Sequence, residues 1–446
     1  MLVDAINKDL ILSIDIGTTV AKVALFDLDL NCIDSQSSFY KLQTPDKFKV
    51  EIDPNKWWNG FKKALNSLKT PLNNISIITI SANTPGLSFM NIEGNPLFPS
   101  ILHMDRRSKK EANFILNSIG KNYLLEKTGN LPMLGGCSAC GILWIKENYP
   151  DIYSKVYKFG HTNTFIAKRF TDNWAIDPSN TSLTCLYNTT TFGDWNSDII
   201  DSLGIDKNKL PEIFPSEQII GKLKKDIATD LGLKSGIPVL IGGNDAICAV
   251  LGAGVEKEGQ MLDVIGTTEL FNICTEKPIY SPKYSLRAHM LKNKWCTIYI
   301  LNTGGKAIEW FYENFYKEMD EKYFFKEYLP GLLNKQGKDI PKFVPYLCGD
   351  RYSIADKSAS FTRIKLNMNR DDFLLSILNG IALNTKKYVD EVGKKIKLDN
   401  TIYASGGSIK EIIAFKKKIF PKFDFKVVES SSLLGAAKLA LMTLSK

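Results

Sequence analysis

Apolar residues fall in short runs broken by glycine-rich turns, and these runs alternate with stretches of helical period. Leu10 to Ile14 is apolar, Asp15-Ile16-Gly17-Thr18-Thr19 turns, and Val20, Val23, Ala24, Leu25 and Phe26 resume the apolar pattern. Two apolar runs about a Gly/Thr turn predict a β-hairpin with a polar tip. Residues 52–69 predict a helix. Asp53 can cap it, Pro54 takes the first position, and Trp57, Trp58, Phe61, Leu65 and Leu68 recur at helical spacing. Ile75 to Ile80 reads as a buried strand running into the polar segment Ser81 to Gly86. Strand, helix, strand is an α/β signature.

Further along, Leu87 to Met90 is strand-like, Glu93 to Pro96 is a turn, and residues 108–115, 140–148, 164–169 and 195–203 read as helices. Asp177 to Ser182 reads as a loop entering a strand at Leu183 to Tyr187. Ile237 to Ile241 predicts a buried strand, Gly242-Gly243-Asn244-Asp245 a tight turn, and Ala246 to Gly254 a helix of small residues. Residues 260–274 then repeat the opening pattern, with Ile265-Gly266-Thr267-Thr268 matching Ile16 to Thr19. A turn chosen for geometry alone need not recur with both threonines. The repeat therefore implies duplicated domains gripping one phosphate chain from two sides. The second half continues with helices at 306–316, 371–392 and 432–440, and with a strand into Gly-Gly at Thr401 to Ser408. No low-complexity linker separates the halves, so the boundary near 242–255 is expected to be a hinge.

Composition narrows the class. A chain of 446 residues with 44% hydrophobic and 24% charged residues is that of a soluble globular protein of about two or three domains. Its apolar runs stop short of the roughly 20 residues a membrane span needs. The N-terminus lacks a basic segment followed by an apolar one, so a cytoplasmic protein is expected, with no membrane partner. The net charge is +9, but the lysines are dispersed and no run of five basic residues occurs. No nucleic-acid partner is expected, while a mild positive field favours a polyanionic substrate such as a nucleotide. Among eight cysteines only Cys137 and Cys140 are closely spaced, and without a second pair or a nearby His they read as buried, reduced thiols.

Three places carry candidate chemistry. At the first hairpin tip, the Asp15 carboxylate, Gly17 and the Thr18 and Thr19 hydroxyls suit a magnesium-bound phosphate, against the alternative of an ordinary turn. Asp105-Arg106-Arg107 at a strand end suits a polyhydroxylated ligand, or else a surface ion pair with a helix cap. Asp245, at a helix N-terminus beside a close backbone approach, suits a general base for a hydroxyl next to an anion, or an N-cap, or both.

Taken in chain order, these residues resemble the FGGY carbohydrate kinases. Asp15-Ile-Gly-Thr-Thr is similar to the family's first phosphate hairpin. Gly94-Asn-Pro-Leu with Asp105-x-Arg107 resembles its GNPL…WNDxR segment, and Thr128-Gly-Asn-x-Pro, Asp177-Pro-Ser and Trp195 follow. Gly242-Gly-Asn-Asp245 resembles the catalytic GGGD, Gly266-Thr-Thr the second hairpin, and Gly406-Gly-Ser with Gly435-Ala-Ala the adenosine region. The resemblance implies an α/β fold of two duplicated ribonuclease-H-like (actin-like ATPase) domains around a central cleft. Residues 1–243 would bind sugar and carry the first hairpin, and 244–446 would bind ATP and carry the second. It implies ATP- and magnesium-dependent phosphorylation of a hydroxyl on a small sugar, a ketose such as xylulose or a related polyol. Asp245 would be the base and Asp15 the magnesium ligand. Gly17, Thr18, Thr19, Lys22, Gly266, Thr267, Gly305, Gly406 and Gly407 would line the nucleotide. Thr84, Pro85, Gly86, Asp105 and Asp245 would contact the sugar. A homodimer is one oligomeric option.

Several positions depart from the family. Thr84-Pro85-Gly86 stands where xylulose kinases show Met-His-Gly and glycerol kinases Arg-Glu. Ala246-Ile247 replaces the Gln-Gln of glycerol kinases, His103 replaces the family Trp, and Gly349-Asp350-Arg351-Tyr352-Ser353 loosens Gly-Glu-Arg-Thr-Pro. The sugar pocket is therefore atypical. The alternative is a non-catalytic nucleotide- or sugar-binding sensor of the same superfold, which would have little reason to keep Asp245 beside Gly-Gly.

Overall fold

The computed structural model describes residues 9–334, 339–355, 357–406, 409–429 and 431–445. Its frame is a pair of six-stranded sheets, each begun by one of the two expected hairpins. The first sheet holds β1 (Leu10–Ile16), β2 (Val20–Phe26), β3 (Cys32–Phe39), β4 (Ile75–Ala82), β5 (Ile219–Lys222) and β6 (Pro238–Asn244) in the order β5-β6-β4-β1-β2-β3. β1 pairs antiparallel with β2 and parallel with β4, which pairs parallel with β6. β1 is buried along its whole length, as a central strand covered on both faces must be, and it is apolar but for Ser13 and Asp15. The edge strand β3 is polar and alternates in exposure.

The second sheet repeats this plan with β7 (Met261–Ile265), β8 (Glu269–Thr275), β9 (Ser285–Ala288), β10 (Trp295–Leu301), β11 (Thr401–Gly406) and β12 (Asp424–Val427). Its order is β9-β10-β8-β7-β11-β12. The β7–β8 hairpin answers β1–β2, β10 answers β3, and the parallel neighbours β11 and β12 answer β4 and β6. Two sheet-rich domains thus share a five-strand topology, with the sixth strand, β5 in one and β9 in the other, on opposite edges.

Seven helices matter to the site: α1 (Pro54–Asn66), α2 (Thr162–Thr171), α3 (Asp245–Gly252), α4 (Gly305–Phe315), α5 (Arg370–Gly393), α6 (Ile409–Ile419) and α7 (Ser432–Leu444). α1 starts as its sequence dictates, with Asp53 accepting from the Asn55 amide and Pro54 in the first turn. α3 and α7 lie between the sheets, in one core with Ile11, Phe26 and Leu240 of the first and Leu262, Cys274 and Ile298 of the second. They touch backbone to backbone: a Cβ on Gly435 would sit 1.7 Å from the Cys248 carbonyl oxygen. Ser13 Oγ of β1 donates to the Leu433 carbonyl at 2.8 Å, tying α7 to the first hairpin.

Two expectations are corrected. Asp177 to Ser182 is a short helix, Pro178–Thr181, because Asp177 accepts the Ser179 and Asn180 amides and Pro178 pre-sets the first turn. No strand follows it, and Leu183 to Tyr187 contributes a single bridge, Tyr187 to Trp195. Gly242-Gly243-Asn244 is not a turn either. β6 runs through it to Asn244 over a bulge, with Gly242 at φ +66°, where a Cβ would lie 1.9 Å from the Ile80 carbonyl oxygen. All eight cysteines are free thiols, and Cys137 and Cys140 are buried as expected. Among the described residues no helix is long and apolar enough to cross a membrane.

Candidate active site

The hairpin register sets the first jaw. Asp15 and Lys22 face each other across β1–β2, with Lys22 Nζ 3.7 Å from Asp15 Oδ2. Asp15 is buried, and its Oδ1 accepts from Ser81 Oγ of β4 at 2.8 Å. Gly17 closes the tip: its amide donates to the Val20 carbonyl at 2.9 Å, and its own carbonyl accepts from Tyr40 Oη at 2.6 Å. Thr18 is half-buried and Thr19 exposed at that tip. Among the described residues no cluster of three His, Cys, Asp or Glu side chains could cage a metal. The site thus offers one hard carboxylate, which suits Mg²⁺, an ion that commonly takes one or two protein carboxylates and completes its shell from phosphate and water.

The second jaw docks on a helix start. Gly304 donates to the Thr267 carbonyl and Gly305 to the Gly266 carbonyl, both at 2.8 Å, so the β7–β8 tip sits on the N-terminus of α4. Gly266 and Thr267 are exposed there. Beside them a cavity of about 230 Å³ is walled by Ile265, Ile308, Phe325, Leu329 and Ile412. An apolar slot beside an exposed glycine/threonine tip suits a flat base with phosphates attached. Gly406 takes φ +132° under this hairpin, where a Cβ would fall 1.9 Å from the Ile265 carbonyl oxygen. Gly407 lies outside the described residues.

Asp245 opens α3. Asn244 is the N-cap, its Oδ1 accepting the Ile247 amide, so Asp245 is not the cap. Asp245 Oδ1 accepts from Asn244 Nδ2 at 2.9 Å and from the Ala246 amide at 2.7 Å. Its Oδ2 has no hydrogen-bond partner among the described residues. Burial, then the charge of Asp15, push its pKa up to about 6 against the Ala246 amide, Arg287 and Lys22. Asp15, Lys22 and Asp245 are therefore one electrostatic group.

The segment expected to contact sugar is tied to this group. Thr84 Oγ1 donates to Asn180 Oδ1, and Asn180 and Asn163 donate to Asp177. Ser179 Oγ accepts the Asn244 amide at 2.8 Å. Pro85 follows Thr84 through a cis bond. Gly86 is needed for space: a Cβ would meet Thr162 Oγ1, Trp57 and Asn83 at 2.2 to 3.1 Å. Two buried polar atoms lie there, Asn83 Oδ1 and Thr162 Oγ1, with no partner among the described residues. Asp105 is engaged differently. Arg107 Nη2 lies 2.6 Å from both Asp105 Oδ2 and Glu51 Oε2, and the Val50 amide donates to Asp105 at 2.7 Å. No contact joins Asp105 to Asp245 among the described residues.

Sequence reasoning missed two groups. Arg287, buried on β9, donates from Nη1 to Asn244 Oδ1 at 2.8 Å. Beneath the second hairpin, buried Lys416 of α6 reaches Asp263 of β7 at 2.6 Å and Glu269 of β8 at 3.0 Å, and Thr385 of α5 donates to Glu269. The available signal was a charged residue inside an apolar strand.

Paired hairpins on duplicated sheets, with a cleft carboxylate at a helix start, define a two-domain phosphotransferase of the actin-like ATPase fold. Residues 10–252 match the N-terminal domain of the FGGY family of carbohydrate kinases, and the chain belongs to that family. A xylulose kinase of Staphylococcus xylosus is 27% identical over 97% of this chain and 90% of its own length. A gluconokinase of Bacillus subtilis is 26% identical over 98% and 88%. The crystal structure of a xylulose kinase from Rhodospirillum rubrum has the same fold, with a TM-score of 0.89 at 21% identity over 97% of this chain and 89% of that one. The protein is a carbohydrate kinase that phosphorylates sugar from ATP.

Proposed function

We propose that the chain transfers the terminal phosphate of ATP to a hydroxyl of a small ketose, such as xylulose, or of a related polyol, with Asp245 as the general base. The observation that carries this is the Asp245 carboxylate. One oxygen is fixed by two N–H donors while the other is left for substrate. A carboxylate with a pKa of about 6 is ionised at neutral pH yet more basic than an ordinary one, which suits removal of a hydroxyl proton as transfer proceeds. Asp15 would hold Mg²⁺, which when bound neutralises phosphate charge. Lys22, Gly17, Thr18 and Thr19 on one side, and Gly266, Thr267 and Gly305 on the other, would position the phosphates. Phosphoryl transfer asks the protein mainly for such placement and charge stabilisation. Thr84 to Gly86 would face the sugar, and Asp105 would shape the pocket through Arg107. The 243/244 boundary fits a hinge, since β6 ends at Asn244 and α3 begins at Asp245, one residue further on. The cytoplasm, where ATP is abundant, fits this reading.

The test is ADP release by the purified protein over ketopentoses, ketohexoses, aldoses and polyols. Asp245→Asn is expected to lower turnover by roughly 10²–10⁴-fold while ATP binding, followed by calorimetry, persists. Turnover at the parent rate would sink the base assignment. ADP release unresponsive to every sugar would favour a sensor instead.

A further inference from the structure

We propose that the substrate is an anionic polyol, whose carboxylate or phosphate group is held by Arg106, Arg287 and Arg351. This rests on the kinase reading above and narrows its acceptor from ketoses and polyols in general to a polyol bearing an acid group. Arg287 is 4% exposed. Its Nη1 donates to Asn244, which in turn donates to Asp245, so the guanidinium stands one side chain away from the proposed base. Its Nε is buried and has no partner among the described residues. A buried guanidinium with an empty donor is costly unless something accepts from it.

Two more cations gather at the same end. Arg351 follows the short strand Lys342–Val344, and its Nε donates to Asn302 Oδ1 at 3.2 Å. Arg106 follows the strand Pro96–Leu102, and its guanidinium lies 3.8 Å from where a Cβ of Gly349 would be, facing the loop that carries Arg351. None of the three forms an ion pair with a carboxylate among the described residues, whereas their neighbour Arg107 is saturated by Asp105 and Glu51. His103 lies in the field of Arg351 and Arg287. Burial first, then those charges, push its pKa down to about 3, so it stays neutral and adds no competing cation. Its Nδ1 is also buried without a partner among the described residues.

Charge is thus graded along the pocket: Asp15 and Asp245 at the reacting end, Arg287 one side chain beyond Asp245, and Arg351 and then Arg106 further on. A neutral ketose makes no use of that asymmetry. A polyol with an acid group would be oriented by it, the anion in the planar forks of the arginines and a hydroxyl at Asp245. A role for Arg287 in holding Asn244 alone accounts for Nη1 but not for its bare Nε, nor for Arg106 and Arg351.

The experiment is ADP release by the full chain with D-gluconate, a hexose monophosphate, D-xylulose and glycerol as separate arms. At least one anionic arm is expected to exceed every neutral arm by about tenfold or more in kcat/KM, and the active arm tells carboxylate from phosphate. Arg106→Gln, with a parent-like melting curve, is expected to cut the anion-to-neutral ratio by about tenfold, mainly through KM. A neutral arm equal to or above both anions would overturn the inference and leave the kinase reading standing. An unchanged ratio in both Arg106→Gln and Arg351→Gln would overturn the arginine assignment. No ADP from any arm would overturn the kinase reading and this inference with it.

Discussion

Replacing Asp245 by Asn separates what the carboxylate does for transfer from what it costs the fold. Burial and the nearby Asp15 charge raise its pKa from 3.8 to about 6. The folded protein therefore holds this proton more tightly than the unfolded chain does. Below about pH 4 the group is protonated in both states and carries no penalty. Between about 4 and 6 the unfolded chain ionises first, so stability falls as pH rises, and above about 6 the penalty is complete. Two pH decades at about 1.4 kcal/mol each give a ceiling of about 3 kcal/mol, and water in the cleft reduces it to about 1–2 kcal/mol. Asn keeps the shape, and its Oδ1 can still accept from Asn244 and the Ala246 amide. Asp245→Asn is thus expected to raise the melting temperature at pH 7.5 by roughly 1–2 °C. At pH 4.5 the gain shrinks to about a third. In the parent, kcat/KM is expected to climb about tenfold from pH 5 to pH 7 as the base ionises. Differential scanning calorimetry of both proteins at both pH values, without nucleotide, measures the first effect. A variant less stable than the parent at pH 7.5, or one with the same gain at both pH values, refutes the account.

Three other substitutions test the frame around the site. Arg107→Leu leaves the Asp105 and Glu51 carboxylates buried without their partner, and urea unfolding is expected to show a loss of about 3–5 kcal/mol. Gly435→Ala drives a methyl into the Cys248 carbonyl, so α7 and α3 must part. A loss of about 2–4 kcal/mol is expected in thermal unfolding, with turnover reduced because α3 carries Asp245. Lys416→Met uncovers Asp263 and Glu269, at a cost of about 3–5 kcal/mol near pH 8. Burial pushes the Asp263 pKa up to about 7, so the cost is expected to be smaller at pH 6, where Asp263 takes a proton, and denaturant curves at the two pH values read the difference.

Features written in contiguous residues were legible in the sequence. Both hairpins, the capped start of α1 and the helix start at Asp245 follow from patterns a few residues long, and the structure places them within a residue or two. What was not legible depends on partners far along the chain. Gly242 looked like a turn because its positive φ is compatible with one, yet contact with Ile80 makes it a bulge inside β6. Asp177 looked like a loop residue, but Asn163 and the Ser179 amide complete a buried cap. Arg287 reads as an odd charge in an edge strand until Asn244, 43 residues before it, is brought alongside. Asp263 and Lys416 are 153 residues apart, and neither announces the other.

The duplication itself shows why one jaw differs from the other. In the first hairpin the cross-strand pair two residues before the tip glycine is Asp15 with Lys22. In the second, the same place holds Val264 with Leu270. If the two tips hold a metal-bound polyphosphate as proposed, a carboxylate on each would set two negative charges against it, and the metal could offset only one. On the proposed reading, a carboxylate on one strand pair only, beside a lysine, leaves the other jaw to approach the phosphates through its backbone and a threonine. The charges the second hairpin does carry, Asp263 and Glu269, are turned to the far side and covered by Lys416. There they brace the strands. The duplicated hairpins are thus unequal in charge, as the proposed grip on an anionic cofactor requires.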